Sequence, residues 1–325
     1  MSISATTFTY VAELVHRHAG IRLEPGKEYL VESRLAQAAR EAGARDVDAF
    51  VTRLRADPTP AALDDVVEAL TTNETSWFRD VTPFRALCDH VVPQVRAARP
   101  TGPLRIWSAA CSSGQEPYSI AMSLADLPDG DVDILATDLS ARALERAREG
   151  AYSSLEMNRG LPASALVRHF ERSGAGWRVA DAVRSRVRFA RHNLLGAPPA
   201  WGVFDVVFLR NVLIYFDLST RADVLDQVLR SLRPGGWLVL GSTESTAGVH
   251  DGFERVSAGG TTLFRARTTP STSTAALRTA SSGRGAALPS RLAVTASSGP
   301  AAAPGPAVPV AAATAPSTPR GAGPL

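Results

Sequence analysis

The residues best suited to chemistry fall where short apolar runs stop. RIWSAACSSGQEPYS, from Arg105 to Ser119, passes from an apolar stretch through Ser112, Ser113 and Gly114 to Glu116. Small side chains there let backbone amides approach a ligand, and Glu116 adds an acceptor at the start of the next helix. Without a G-x-G-x-x-G fingerprint, the turn alone reads equally well as a plain strand-to-helix connection. The next apolar run, ILATD, ends in Asp138. An acid there is placed to accept hydrogen bonds from both hydroxyls of a ribose, or else to cap the helix that starts at Ser140. Together, Gly114, Glu116 and Asp138 point to an adenosine-type ligand. No P-loop lysine follows the turn and the dinucleotide glycines are absent. A ligand carrying adenosine without pyrophosphate, S-adenosylmethionine, therefore suits the site best.

Three further segments carry polar groups. TTNETSWFRD, from Thr71 to Asp80, offers Asn73, Thr75 and Arg79 beside Trp77 and Phe78. Arg79 is suited to neutralising the methionine carboxylate of the cofactor through a bidentate pair; the alternative is a linker whose aromatic residues only pack. FLRNVLIYFD, from Phe208 to Asp217, ends a strand with Arg210, Asn211 and Tyr215, while Val212, Leu213 and Ile214 read as core or adenine wall. Tyr215 is either a core aromatic or a site residue. Asn193 in RHNLL is either a turn residue or a ligand contact.

The elements that must position these groups follow from periodicity. Residues 1–70 read as a helical domain. Phe8, Val11, Leu14 and Val15 share one face of a helix ending at Gly20; Leu30, Arg34, Ala38 and Glu41 recur at helical spacing in a second; Leu63, Val66, Val67 and Leu70 mark another. Residues 71–100 read as a linker segment with cofactor contacts. Over residues 101–267 the runs LRIWSAA, VDILATD, VRFARH, FDVVFLRN, WLVLGS and TTLFRA alternate with amphipathic helices. That pattern predicts an α/β fold, a mostly parallel sheet wound on both faces, with ligands beyond the carboxyl ends of its strands. Residues 150–186 interrupt the alternation as a small inserted β-hairpin region.

Composition excludes several classes. The two cysteines, Cys88 and Cys111, form neither a disulfide framework nor a zinc pattern, which suits a reducing cytoplasm. No run approaches about 18 apolar residues, so membrane insertion is not expected. The stretch 268–325 is rich in Ala, Pro, Ser and Thr, which predicts a disordered tail. It holds Arg278, Arg284, Arg291 and Arg320 and no acid, so the formal +3 of the chain becomes −1 for residues 1–267. The basic pI of 9.2 therefore makes no case for nucleic acid.

At this point six ordered blocks resemble one family, the chemotaxis receptor methyltransferases of the CheR type: TTNETSWFRD, RIWSAACSSGQEPYSIA, ILATDLSARALERAREGAY, FARHNLL, FDVVFLRNVLIYFD and LRPGGWLVLGSTES. The resemblance spans roughly residues 8–266. It implies an N-terminal all-helical domain, a Rossmann-like methyltransferase domain that binds S-adenosylmethionine, and a small β-subdomain. The implied reaction is methylation of receptor glutamates to γ-methyl esters. Carried across by motif, the cofactor contacts are Asn73, Thr75, Arg79, Glu116, Asp138, Asn193, Leu194, Arg210 and Asn211, with Tyr215 beside the methyl group and the acceptor. Gln115 stands where the family commonly has a second glutamate. The family docks some members on a receptor pentapeptide through the hairpin; Phe170 to Phe189 is short, so that mode is not expected here.

A glutamate side chain, with a reference pKa of about 4.3, is already a carboxylate at neutral pH. Methyl transfer from a sulfonium to it needs alignment rather than a strong base or a metal, and Tyr215 or Arg79 would orient the acceptor. The helix carrying Arg34 and Arg40 is a candidate dock for the cytoplasmic helical part of a chemoreceptor, or simply a solvated face. The competing readings are a methyltransferase of another protein or a small molecule, and a cofactor-binding adaptor without turnover.

Overall fold

The computed structural model describes residues 3–268; the tail expected to be disordered lies outside them but for its first residue, Thr268. Four helices come first: α1 (Ala5–Ala19), α2 (Glu28–Glu41), α3 (Val47–Ala56) and α4 (Pro60–Leu70). The side chains of Ser4, Asp46 and Thr59 accept the amides of Thr7, Ala49 and Ala62, satisfying donors that a first helical turn leaves free. Phe8, Val11 and Leu14 of α1, Leu35 of α2, Phe50 and Leu54 of α3, and Val66 and Leu70 of α4 meet in one core.

Within α2 the buried stripe is Val31, Leu35 and Ala39, one position beyond the expected Leu30, Arg34 and Ala38. Both stripes have helical spacing, and the wholly apolar one is buried because a guanidinium cannot be left unpaired in a core. Arg34 instead reaches the end of α4. Its Nη1 donates to the Leu70 and Thr71 carbonyls at 2.8 and 3.0 Å, and its Nη2 to Thr72 Oγ1 at 3.1 Å. These carbonyls would otherwise lack partners at the helix end.

Part of the expected linker is helical. α5 (Thr82–Ala86) continues through a π-turn at Leu87–Val91 into α6 (Val92–Ala98). Phe84, Leu87 and Val91 are buried in the main core, a helical spacing that Pro83 and Pro93 obscure in the sequence.

From residue 104 strands and helices alternate: β1 (Leu104–Ala109), α7 (Gln115–Ser123), β2 (Val132–Asp138) and α8 (Ala141–Glu149). An insertion follows, with β3 (Ala151–Tyr152), α9 (Ser154–Met157), α10 (Ala163–His169), β4 (Phe170–Ser173), β5 (Gly176–Val179) and α11 (Asp181–Arg184). Its strands form a separate three-stranded antiparallel sheet in the order β3-β5-β4, one strand more than the expected hairpin. The chain then resumes with β6 (Val187–Arg191), β7 (Phe204–Leu209), α12 (Leu218–Ser231), β8 (Leu232–Leu240), β9 (Phe253–Ala258) and β10 (Thr261–Ala266).

The main sheet has seven strands in the order β6-β2-β1-β7-β8-β10-β9. β6, β2, β1, β7 and β8 run parallel, and β10 is antiparallel to both its neighbours. β7 is buried along its whole length, which is why FDVVFL is apolar on both faces rather than alternating, broken only by Asp205, whose buried carboxylate accepts the Arg105 amide and pairs with Arg99. The chain winds from β1 outward to β6 and returns to β7 on the other side of β1. The strand order therefore reverses between β1 and β7, and a crevice opens beyond their carboxyl ends. β9 escaped the sequence pattern because FERVSA, an edge strand, buries only its first residue.

Candidate cofactor-binding site

That crevice is a cleft of roughly 1000 Å³, open solvent at its mouth included. Asn73, Thr75, Arg79, Glu116, Asp138, Asn193, Leu194, Arg210, Asn211 and Tyr215 all line it. Gly114 does not. Its φ is +96°, and a Cβ there would stand 2.9 Å from the Ala147 Cβ and 3.0 Å from the Tyr152 hydroxyl. The glycine is required so that α7 can begin in close contact with α8, and it stands outside the residues that line the cleft.

Asp138 closes β2 and is buried. Its Oδ2 accepts the Ser112 amide at 2.7 Å and its Oδ1 the Ser140 amide at 2.9 Å. The N-cap of α8 is Ser140, which accepts the Ala143 amide, so Asp138 ties two loops together rather than capping the helix. Burial raises its carboxyl above the ordinary aspartate value, with the two amides opposing. A carboxylate oxygen has room for more than one donor, so a diol can still be received. Glu68 of α4 was missed by sequence reasoning. It accepts the Ala141 amide at 2.9 Å and the Ser140 hydroxyl, joining the helical domain to this loop.

Arg210, buried just beyond β7, joins two acids. Its Nη1 lies 3.0 Å from Glu116 Oε2 and its Nη2 2.7 Å from Asp80 Oδ2, and Nη2 also donates to the Arg79 carbonyl at 2.8 Å. Glu116 further accepts the Ser108 hydroxyl at 2.8 Å. Burial raises the Glu116 carboxyl even with Arg210 beside it. Arg79 contrasts with Arg210: among the described residues its guanidinium has no hydrogen-bond or ion-pair partner. The Tyr215 hydroxyl, on the 3-10 turn Leu213–Tyr215, likewise has none among them.

Six non-glycine residues of the described chain have positive φ: Phe78, Asp80, Val81, Ala110, Ser112 and Asn211. All lie in the three loops around the cleft. Each such residue stores on the order of 1–3 kcal/mol and persists only when its surroundings over-determine it. Carboxylates hold several of them here. Asp138 grips the Ser112 amide, and Arg210 pairs with Asp80. Glu244, also missed in the sequence, grips the Asn211 turn: Oε2 accepts the Asn211 and Gly241 amides at 2.7 and 2.8 Å, and Oε1 accepts those of Val212 and Leu213 at 2.9 and 2.8 Å. Gly241 makes this approach possible, since a Cβ there would stand 2.7 Å from Glu244 Oε2. The available signal was an acid in GSTES immediately after a strand.

The donor set fits S-adenosylmethionine. Asp138 supplies acceptors for a ribose diol, and Glu116 a largely buried anion suited to an ammonium. Arg79, whose guanidinium has no partner among the described residues, is suited to a carboxylate, and Leu139, Leu194 and Val212 supply apolar walls.

Comparison with known proteins agrees. Residues 6–71 match the CheR methyltransferase all-alpha domain and residues 73–261 the CheR methyltransferase SAM-binding domain. The chain is 40% identical over 275 residues to the chemotaxis protein methyltransferase Cher2 of Pseudomonas putida, covering 82% of this chain and 100% of that protein. Chemotaxis protein methyltransferase 1 of Pseudomonas aeruginosa gives the same identity and the same coverage. The Escherichia coli chemotaxis protein methyltransferase is 35% identical over 254 residues, covering 75% of this chain and 86% of that one. The chain belongs to the CheR methyltransferase family, and its cofactor is S-adenosylmethionine.

Proposed function

We propose that this enzyme transfers a methyl group to glutamate side chains of chemoreceptors, forming γ-methyl esters for sensory adaptation. The names of its relatives support the pathway. One observation carries the acceptor: the Tyr215 hydroxyl, without a hydrogen-bond partner among the described residues, shares the cleft with the cofactor-shaped donor set. A hydroxyl donor suffices to orient a carboxylate that is already ionised at neutral pH, whereas an alcohol or amide acceptor would call for a base.

When bound, S-adenosylmethionine supplies an electrophilic methyl carbon on a sulfonium. Asp138 would accept the ribose hydroxyls, with its own position set by the Ser112 and Ser140 amides. Arg79 would take the methionine carboxylate and Glu116 the ammonium. Asn73 and Thr75 would flank that end, while Leu194 and Asn193 would line the adenine side. Arg210 holds Glu116, and through the Arg79 carbonyl it also fixes the backbone of the loop that carries Arg79. Tyr215 would orient the acceptor oxygen in line with the methyl carbon, a contribution of proximity and orientation.

On the helical domain, Arg40 is exposed and suits contact with acidic receptor helices. Arg34 is drawn away to α4, so reversing Arg40 to Glu is the cleaner test of docking. The function itself is tested with methyl-labelled S-adenosylmethionine and receptor-containing membranes. Base-labile label on the receptor is expected; base-stable label would identify another acceptor class, and cofactor binding without label would indicate an adaptor.

A further inference from the structure

The end of α1 forms one wall of the cleft through Ala19 and the following Ile21. It is fastened to the turn that carries Tyr215, and to the loop that follows β6, by several contacts. The Arg22 amide donates to the Tyr215 carbonyl at 2.9 Å. Asn193 Nδ2 donates to the His18 carbonyl at 2.7 Å. His16 Nε2 lies 2.8 Å from Asp217 Oδ2. Gly20 marks how close the surfaces are: its φ is +71°, and a Cβ would stand 3.0 Å from the side chains of Leu195 and Thr220.

Asp217 divides its two oxygens between these tasks. Oδ1 caps α12, accepting the Thr220 amide and the Ser219 hydroxyl at 2.8 Å each. Oδ2 is left to receive His16. The Tyr215–Phe216 segment is thus held from α1 through the Arg22 amide and the His16–Asp217 pair, and from α12 through Arg221 Nε on the Phe216 carbonyl at 3.0 Å.

We propose that His16 is a positioning residue for Tyr215: by holding Asp217 it seats the end of the helical domain against the turn that aims the tyrosine into the cleft. The inference rests on the reading of Tyr215 as the residue beside the acceptor. The pair is partly solvent-exposed, 48% for His16 and 28% for Asp217, and exposed pairs contribute little to stability. Its effect is therefore on placement, where small displacements from the reactive geometry are costly.

The test is a double-mutant cycle on the full chain, reading kcat, the acceptor KM and cofactor affinity. His16→Ala is expected to lower kcat by about three- to tenfold with cofactor affinity within twofold of the parent. His16→Gln keeps an N–H near the Nε2 position and should recover most of that loss. His18→Ala removes a neighbouring exposed imidazole while leaving its carbonyl, and should leave kcat unaltered. In the Tyr215→Phe background, His16→Ala should add nothing further. Unchanged kcat in His16→Ala, failure of the glutamine rescue, or additive losses in the double variant would each overturn the proposal. Parental kcat in Tyr215→Phe alone would instead remove the role of Tyr215 and this inference with it.

Discussion

Glu244 makes four hydrogen bonds to backbone amides from one carboxylate, and the isosteric Glu244→Gln variant isolates what they contribute. A glutamine can offer its single oxygen to only one of the two amide pairs. Its NH₂ then faces the other pair, donor against donor. Two charge-assisted bonds are lost, each worth roughly 1.5–3 kcal/mol when its partner is buried. Glu244 is only half-buried, so water recovers part of this, and a net loss of about 2–3 kcal/mol is expected. For a domain of this size that lowers Tm by roughly 5–10 °C. Asn211 would also be released from its left-handed backbone (φ +57°), and the wall it shares with Arg210 and Val212 would loosen. S-adenosylmethionine affinity should then fall about tenfold, a loss of about 1.4 kcal/mol. Thermal unfolding and calorimetric titration of the same samples measure both effects. A Glu244→Gln protein with the parental Tm and affinity would refute the argument that the carboxylate holds the strained turn. A lowered Tm with parental affinity would refute the link from the turn to the cofactor.

Other variants separate the remaining groups. Arg79→Ala should weaken cofactor binding by about 10- to 100-fold, the range for losing a charge-assisted pair, without lowering Tm, because the guanidinium has no partner among the described residues; equilibrium binding and a melting curve suffice. Asp138 makes binding pH-dependent. Its folded-state pKa is raised, so its proton stabilises the fold at low pH, and that contribution is lost as pH rises through the raised value. The ribose needs the anion. Affinity should therefore decline on acidification beginning above the ordinary aspartate value, and Asp138→Asn should remove its share of that inflection in a titration series, leaving the share set by Glu116, whose carboxyl burial also raises. Tyr215→Phe should reduce kcat while leaving cofactor affinity within about twofold, since the hydroxyl is assigned to the acceptor and not the cofactor; single-turnover methylation separates the two.

How much was legible in the sequence follows the range of the forces involved. Local signals carried far. β1, β2, β6, β7 and β10 lie in the expected runs, while β8 starts at Leu232, five residues before its run WLVLGS; the central strands β1, β2 and β7 were the clearest because a doubly covered sheet requires largely apolar stretches. The acid ending β2 marked the crevice in advance. The resemblance then assembled the lining residues by motif.

What the sequence by itself determined, then, was which segments bury their apolar faces and which polar residues stand at strand ends; both depend on neighbours a few positions away. Only the tertiary structure decided how the polar residues are paired. Arg34 lies within a helical pattern, yet its guanidinium is spent on α4 carbonyls some 36 positions on. Arg79 and Arg210 look alike in the chain, but the fold surrounds one with Glu116 and Asp80 and leaves the other facing the cleft. Gly114 was legible as a turn and not as a contact between helices α7 and α8. Glu68, Glu244 and the His16–Asp217 pair act across 73, 33 and 201 positions. Carboxylates find their donors through space, and no periodicity along the chain records which amide a distant loop will present.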